Sequence, residues 1–314
     1  MEVASLRMNQ RYKIIPRIFG GLGNQLFCYA AARRLALVNN AELVIDDVSG
    51  FARDFQYSRK YALDYFNVSA RKATPAERLE PFSRVRRYLK RAYNLRLPFE
   101  ERTYFRQEGN DFDSRLLQLR PHGTVYLEGY WQSESYFKDV ERIIREDLRI
   151  PPPTDAFNQH MVEKVRNSRA VALHVRWHDS SSNLEGNNIS GDYYNRAIAL
   201  IEQKVESPSY FLFSDDPDAA LAKLALPKSR VTFVSQDRGG IASFNRGFDE
   251  NAIADMWLMS QCQHFITANS SFSWWGAWLS EGKGKIIVTP DLKIDGSKMA
   301  WGFKGLIPDE WIRC

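Results

Sequence analysis

A glycine-rich segment, Gly20–Asn24, has the composition of an anion-binding turn. It lies between an apolar run at 12–19 and a helical pattern at 24–39, so the amides of a helix start are available to a phosphate. It lacks the Gly-Lys-Ser/Thr of a Walker A loop, and Leu26 stands where GxGxxG requires its third glycine. A tight turn capped by Asn24 explains the same residues, so both interpretations stay open.

Arg176 ends a strand-like run at 170–176. A guanidinium at a strand end, with no acidic partner on its own strand, offers two parallel donors to a phosphate. An ion pair with a distant carboxylate is the alternative. His174 and His178 do not predict a metal site, because four extended residues separate them by about 13 Å.

The segment Asn269–Trp275 follows another strand-like run and opens a helical pattern. Its three serine hydroxyls and the first-turn amides suit a phosphate, although serine is also an ordinary helix cap. A third segment, Ser214–Asp218, contains an Asp-x-Asp, a spacing that holds a divalent ion in one class of glycosyltransferases. Asp216 before Pro217 is instead typical of a helix start, so we predict a cap and no metal.

The elements that must position these residues alternate between strands and helices, which predicts an α/β fold. Further strand-like runs lie at 41–46, 124–131, 209–214, 230–234, 264–268 and 285–289, and helical patterns follow Ser133, Asp192 and Pro217, cover 251–261 and follow Ser271. Such units form doubly wound sheets with ligands at the carboxyl ends of the strands. Pro151–Pro153 is the best linker, so we predict domains at 1–152 and 153–314.

Composition sets broader limits on the function. The chain has 314 residues, a net charge of +5, 44% hydrophobic residues and three cysteines, none in a CxxC pair. These values argue against a disulfide scaffold, a zinc ribbon and a disordered chain. No signal-like or membrane-spanning apolar run occurs, so we expect a cytoplasmic protein.

The segment Pro81–Arg96 has six basic residues and no acidic one, with Val85, Tyr88, Leu89 and Ala92 at helical spacing. It predicts either a helix on an anionic membrane surface, peripheral to the inner membrane, or an ordinary solvated helix face.

Four stretches together resemble the α-1,2-fucosyltransferases of glycosyltransferase family 11, bacterial type: IFGGLGNQLFCYAAARRLA, HVRWHD, FLFSDDP and ADMWLMSQCQHFITANSSFSWWGAWL. The resemblance runs from about Ile14 to the C-terminus and implies a GT-B-like fold of two Rossmann-like domains facing a cleft. It also implies GDP-fucose as donor, inversion at the anomeric carbon and no metal or other cofactor. Trp177 and His178 depart from the family pattern, which usually has arginine and glycine there.

Carried over residue by residue, the resemblance implies that Arg176 holds the donor's β-phosphate, that His174 lies near the nucleoside and that Asp255 accepts from guanine. The remaining donor-binding residues it implies are Gly21, Gly23, Asn24, Ser270, Ser271, Phe272 and Ser273.

The chemistry of the transfer is compatible with this assignment. A departing nucleoside diphosphate builds negative charge, which Arg176 and oriented amides stabilise without a metal ion. A carboxylate usually removes the acceptor proton, and Asp179, Glu185 and Asp192 are the candidates on or just past the loop after Arg176. Sequence does not rank them.

We therefore predict an inverting fucosyltransferase that acts on a galactose-terminated or lipid-linked glycan in surface polysaccharide synthesis. A related enzyme of another linkage, such as α-1,6, is the first alternative. A basic nucleic-acid-binding protein is the second, but the chain has no basic-aromatic recognition module, so we expect no nucleic acid partner.

Overall fold

A computed structural model describes residues 12–55, 57–176, 189–214, 216–234, 250–295 and 300–314. The described chain forms two parallel β-sheets flanked by helices, together with one small antiparallel hairpin. The predicted α/β class with two doubly wound units is confirmed.

The first sheet has five parallel strands in the order β3-β2-β1-β5-β4. The strands are β1 Lys13–Pro16, β2 Glu42–Ile45, β3 Arg71–Lys72, β4 Tyr104–Arg106 and β5 Val125–Glu128. The helices up to residue 166 are α1 Leu22–Val38, α2 Ser83–Asn94, α3 Arg115–Gln118, α4 Glu141–Asp147 and α5 Ala156–Arg166.

The second sheet has six parallel strands in the order β13-β10-β9-β6-β7-β8. The later strands are β6 Ala170–Val175, β7 Ser209–Ser214, β8 Val231–Phe233, β9 His264–Ile266, β10 Ile287–Thr289, the hairpin pair β11 Ile294–Asp295 and β12 Ala300–Trp301, and β13 Ile312–Arg313. The helices are α6 Gly191–Lys204, α7 Pro217–Lys223, α8 Glu250–Gln261 and α9 Ser271–Leu279.

Helix α1 is buried on more than the single stripe that its periodicity predicts. Of its 17 residues, 12 are buried, because it packs against β1 on one side and α9 on the other. Phe27 contacts both Trp274 and Trp275, with ring centroids 4.5 and 4.9 Å apart. The aromatic side chains of α9 therefore form part of one core with α1.

The helix expected from Ser133 begins only at Glu141. Two 3₁₀ turns, Glu134–Tyr136 and Lys138–Val140, precede the short helix α4. Tyr136 and Phe137 are both buried, and Phe137 stacks on Trp275 at 5.5 Å. Burial of two adjacent aromatic rings suits a tight turn better than a regular helix, so packing overrides the local pattern.

The strands of the two sheets lie on either side of Pro151–Pro153 in the sequence, and the domain boundary at 152 stays a prediction.

The C-terminal segment returns to the first half of the chain, where the Phe112 amide donates to the Lys304 carbonyl at 2.8 Å. The Trp274 indole also donates to the Leu306 carbonyl at 2.9 Å.

Candidate functional site

Each sheet has a point where the strand order reverses, and parallel sheets bind ligands beyond such points. In the first sheet the reversal lies between β1 and β5. Phe19 follows β1 and stacks on Tyr130, which follows β5, with ring centroids 4.4 Å apart. The Gln132 amide donates to Asn24 Oδ1 at 2.8 Å, so the glycine loop is tied to the segment after β5.

In the second sheet the order reverses between β6 and β9. His174 lies at the end of β6, is buried, and places its ring 5.8 Å from that of Phe272 at the start of α9. Arg176 is the first residue beyond β6 and is half-buried. The topology therefore brings the predicted strand-end residues and the serine segment to one edge of the sheet.

The two helix starts predicted to bind anions meet each other. A Cβ atom placed on Gly23 would lie 2.5 Å from the carbonyl carbon and oxygen of Ser271 and 2.7 Å from the Phe272 amide nitrogen. Only glycine allows this approach, because the neighbouring atoms belong to the backbone and cannot rotate away. The starts of α1 and α9 are thus in direct backbone contact.

The serines at the start of α9 have different roles. Ser270 caps α9 by accepting from the Phe272 amide at 3.3 Å. Ser273 Oγ accepts from the Ala268 amide and donates to the Ser270 carbonyl, both at 3.3 Å, so it holds the loop in shape. Ser271 is more exposed than Ser270, Phe272 and Ser273. Of these four residues it is therefore the most accessible to a ligand.

Asp255 lies on α8, and its side chain is buried. Helix α8 packs against α9, so this carboxylate belongs to the same half of the molecule as Arg176 and Ser271. A buried carboxylate accepts strong charge-assisted hydrogen bonds from a neutral N–H donor.

The three candidate bases differ in what the structure describes. Asp192 is exposed in the first turn of α6, where Ser190 caps the helix by accepting from the Tyr193 amide at 3.4 Å. Asp179 and Glu185 lie outside the described residues, as do Trp177 and His178. The identity of the base therefore stays open.

The Asp-x-Asp segment forms the predicted cap. The Asp216 carboxylate accepts from the Ala219 amide at 2.9 Å, and Pro217 occupies the first helical position of α7. Across the described ranges, no three His, Cys, Asp or Glu side chains are grouped in a way that can hold a metal ion.

Two residues at the glycine loop were not predicted from the sequence to belong to the site. Gln25 donates to the carbonyls of Gly20 and Lys60 at 3.0 and 2.9 Å, and accepts from the Ala62 amide at 2.9 Å. These bonds hold the segment after Tyr57 beside the glycine loop.

Arg59 is the second missed residue. Its Nε lies 3.9 Å from a Cβ placed on Gly21, and its guanidinium lies 4.1 Å from the Tyr57 ring centroid and 4.0 Å from Asp54. A second cation, besides Arg176, therefore lies at the helix start that is predicted to bind an anion. No periodicity surrounds it in the sequence, so no local signal distinguishes it from a surface arginine.

A cleft of about 950 Å³ adjoins the glycine loop on the side of the first sheet. We call it the amino-terminal cleft. It is lined by Phe19, Glu128 and Tyr130, by residues 48–50, 52–54, 57 and 59, and by residues of α2. Burial raises the pKa of Tyr130 to about 12, so its hydroxyl remains a hydrogen-bond donor at neutral pH. Stacked rings beside charged side chains suit a carbohydrate.

Comparison with known proteins agrees with this arrangement. Residues 14–312 match the family described as glycosyl transferase family 11. An Escherichia coli α-1,2-colitosyltransferase is 27% identical over 304 residues, which cover 96% of this chain and 98% of that protein. The E. coli O-antigen biosynthesis glycosyltransferase WbnK is 29% identical over 315 residues, covering 93% of this chain and 97% of that protein.

A solved structure supports the fold. A mutant of Arabidopsis thaliana FUT1 in complex with GDP superposes with a TM-score of 0.52 at 11% identity, covering 93% of this chain and 72% of that one. The predicted GT-B-like class is confirmed. The family match spans nearly the whole chain and includes every described segment of the site, so the chain belongs to glycosyl transferase family 11.

Proposed function

We propose that this protein is an inverting, metal-independent α-1,2-fucosyltransferase that uses GDP-fucose and acts on a galactose hydroxyl of a glycan. The observation that carries the proposal is the contact between Gly23 and Ser271. It joins two helix starts, each able to bind one anion, into a surface long enough for a diphosphate.

In the proposed complex, the diphosphate lies along the first-turn amides of α1 and α9. Arg176 contacts the β-phosphate from the end of β6, and Ser271 and Asn24 add side-chain donors. Arg59 stands at the same helix start as Gly21 and supplies a second positive charge. Asp255 accepts from the guanine edge, and His174, Gly21, Gly23, Ser270, Phe272 and Ser273 shape the surrounding pocket.

Catalysis in this proposal depends on charge stabilisation at the leaving group. As the bond between fucose and phosphate breaks, negative charge grows on the β-phosphate, where the Arg176 guanidinium and the fixed amides interact most strongly. Because these donors are already oriented, little reorganisation is needed. A carboxylate among Asp179, Glu185 and Asp192 takes the proton from the attacking hydroxyl.

The donor sugar has a second candidate. The relative with 27% identity is named an α-1,2-colitosyltransferase. Colitose is fucose that lacks the 3-hydroxyl, so a site that makes no hydrogen bond to this group accepts both sugars. The α-1,2 linkage in that name agrees with the linkage proposed here, and an α-1,6 product is the alternative that the experiment below distinguishes.

The acceptor is proposed to be a galactose-terminated glycan, presented as a lipid-linked precursor, that occupies the amino-terminal cleft. The name of WbnK assigns that relative to O-antigen biosynthesis, which supports a role in surface polysaccharide synthesis. In the described chain, no helix is long and apolar enough to cross a membrane.

The test is a transfer reaction with GDP-fucose, GDP-colitose, GDP-mannose and UDP-galactose on a galactose-terminated oligosaccharide, with and without EDTA. We expect transfer from a GDP-linked 6-deoxy sugar in both conditions, and NMR spectroscopy of the product should show an α-1,2 bond. Transfer from UDP-galactose alone, or an α-1,6 product, contradicts the proposal. Activity that EDTA abolishes and Mn²⁺ restores contradicts metal independence.

A further inference from the structure

Helix α2 buries two polar side chains and exposes apolar ones, which is the reverse of a normal surface helix. Arg87 and Asn94 are buried, at 8% and 2% exposure, whereas Val85, Leu89 and Tyr93 are 57%, 59% and 63% exposed. A surface helix of a globular protein normally turns its apolar side towards the core. The exposed apolar side of α2 is therefore unlike an ordinary solvated face.

The buried polar side chains hold the helix in this orientation. Arg87 donates to the Asp46 carboxylate at 2.7 Å and to the Arg78 carbonyl at 2.9 Å. Asn94 Oδ1 accepts from the amides of Thr103 and Tyr104 at 2.6 and 3.0 Å. Rotating the helix to bury Leu89 would break this buried ion pair and leave backbone amides without partners, which is strongly unfavourable.

Basic residues flank the apolar strip, which consists of the exposed Val85, Leu89 and Tyr93 and the half-buried Ala92. At about 100° per residue, Arg84 and Arg91 lie on one side of the strip, and Arg86 and Lys90 lie on the other. No acidic residue occurs between 81 and 96. In the part of the chain that the structure describes, Arg84 and Arg91 have neither a salt bridge nor a side-chain hydrogen bond.

We propose that α2 docks on an anionic lipid bilayer, with its apolar strip among the acyl chains and its basic residues at the headgroup phosphates. An apolar strip between two rows of positive charge is complementary to such a surface, and it requires no transmembrane helix. Phe55, which is 85% exposed, directly follows the cleft-lining residue Asp54 and is available as a second aromatic contact.

The amino-terminal cleft lies next to this surface of α2. Tyr88 and Arg91 are on α2 and line the amino-terminal cleft. A helix docked on the leaflet therefore holds the cleft against the membrane, where a lipid-linked glycan is presented. This consequence rests on the proposed function, whereas docking itself does not.

Co-sedimentation with vesicles tests the proposal without any substrate. The full-length protein should bind vesicles of phosphatidylcholine mixed with phosphatidylglycerol, and should bind phosphatidylcholine alone far more weakly. Binding should fall as salt increases. The result therefore does not depend on whether the chain transfers fucose.

Two double variants examine the two parts of the surface. Leu89→Ser with Tyr93→Ser should weaken partition roughly tenfold by removing apolar contact. Arg86→Gln with Arg96→Gln should weaken it about fivefold per charge at low salt. None of these four residues lines the cleft, so turnover on a soluble oligosaccharide should stay unchanged. Arg87 is left intact because it is buried against Asp46.

Matched controls come from other exposed positions. Lys164→Gln with Lys204→Gln removes the same number of charges elsewhere, and Leu292→Ser removes an exposed leucine. Neither control should alter vesicle binding. A polarity-sensitive dye on Leu89→Cys, in a Cys314→Ser background, should shift to the blue with anionic vesicles, whereas the same dye on Leu292→Cys should not.

Three results would overturn the proposal. The first is equal binding to neutral and anionic vesicles. The second is vesicle binding that the α2 variants leave unchanged while the controls reduce it. The third is a dimer, seen by analytical ultracentrifugation, that Leu89→Ser with Tyr93→Ser dissociates while no vesicle binding occurs. This last result would assign the strip to a second copy of the chain.

Discussion

Replacing Gly23 with alanine tests the contact between the two helix starts. The added Cβ would lie 2.5 Å from the carbonyl carbon and oxygen of Ser271, whereas ordinary contacts begin near 3.4 Å. The starts of α1 and α9 must therefore separate by about 0.9 Å, since neither backbone segment can rotate away. Overpacking of this kind costs about 1–3 kcal/mol of folding free energy, partly offset by the helix preference of alanine of about 1 kcal/mol.

The effect on the reaction should exceed the effect on stability. A displacement near 1 Å between groups that orient a substrate can reduce turnover about 100-fold. We expect Gly23→Ala to unfold at a slightly lower denaturant concentration, to bind GDP more weakly by calorimetry, and to lose about 100-fold in turnover.

Gly21→Ala is the matched control for this substitution. A Cβ on Gly21 meets only Arg59 Nε, at 3.9 Å, which is an ordinary contact. This variant should keep the stability of the parent protein. If Gly23→Ala and Gly21→Ala behave alike in both measurements, the helix starts do not meet as described and the diphosphate surface is wrong.

Three further predictions concern separate features. Arg176→Ala should reduce turnover more than about 100-fold, the scale of losing one oriented donor at a developing charge, and near-normal steady-state rates would refute its role. Asp216→Ala should lower the free energy of unfolding by about 1 kcal/mol through loss of the α7 cap, with no change in the response to EDTA; an unchanged free energy of unfolding would contradict the cap. At pH 8 a thiol reagent should modify only Cys314 in the folded protein. Burial raises the pKa of Cys28 to about 12 and also raises the pKa of Cys262, so both of these thiols stay protonated. Rapid reaction of all three cysteines would show that the core is open.

The sequence predicts best where chemistry and periodicity coincide. The runs ending at Arg176 and before Asn269 are buried strands followed by polar residues, so their placement at a sheet edge follows from general rules of parallel sheets. The Asp216 cap was equally predictable, because Asp followed by Pro specifies a helix start locally.

Features that depend on contacts between distant segments were not predictable. Arg59 reaches the glycine loop only because Gln25 bonds to the carbonyl of Lys60 and the amide of Ala62. The turns after Ser133 form because Tyr136 and Phe137 pack into a core shared with α9. These interactions join segments far apart in the chain, and no local pattern encodes them.

The orientation of helix α2 was likewise not predictable from the sequence. Its periodicity predicts a helix, which the structure confirms, but the pattern alone does not say which side faces the core. Burial of Arg87 depends on Asp46, 41 residues away. An apolar stripe would ordinarily be placed in the core, whereas here the buried ion pair leaves it at the surface.

The most direct test of the central proposal, that the chain binds guanosine diphosphate, is calorimetric titration with GDP, UDP and ADP. The parent protein should bind GDP at least about tenfold more tightly than UDP or ADP, because in the proposed complex Asp255 accepts two hydrogen bonds that, of these three bases, only guanine donates. Asp255→Asn should remove most of this preference while leaving the weaker binding of UDP and ADP nearly unchanged. Equal affinity of the parent protein for all three nucleotides, or an equal loss for all three in Asp255→Asn, would contradict the account.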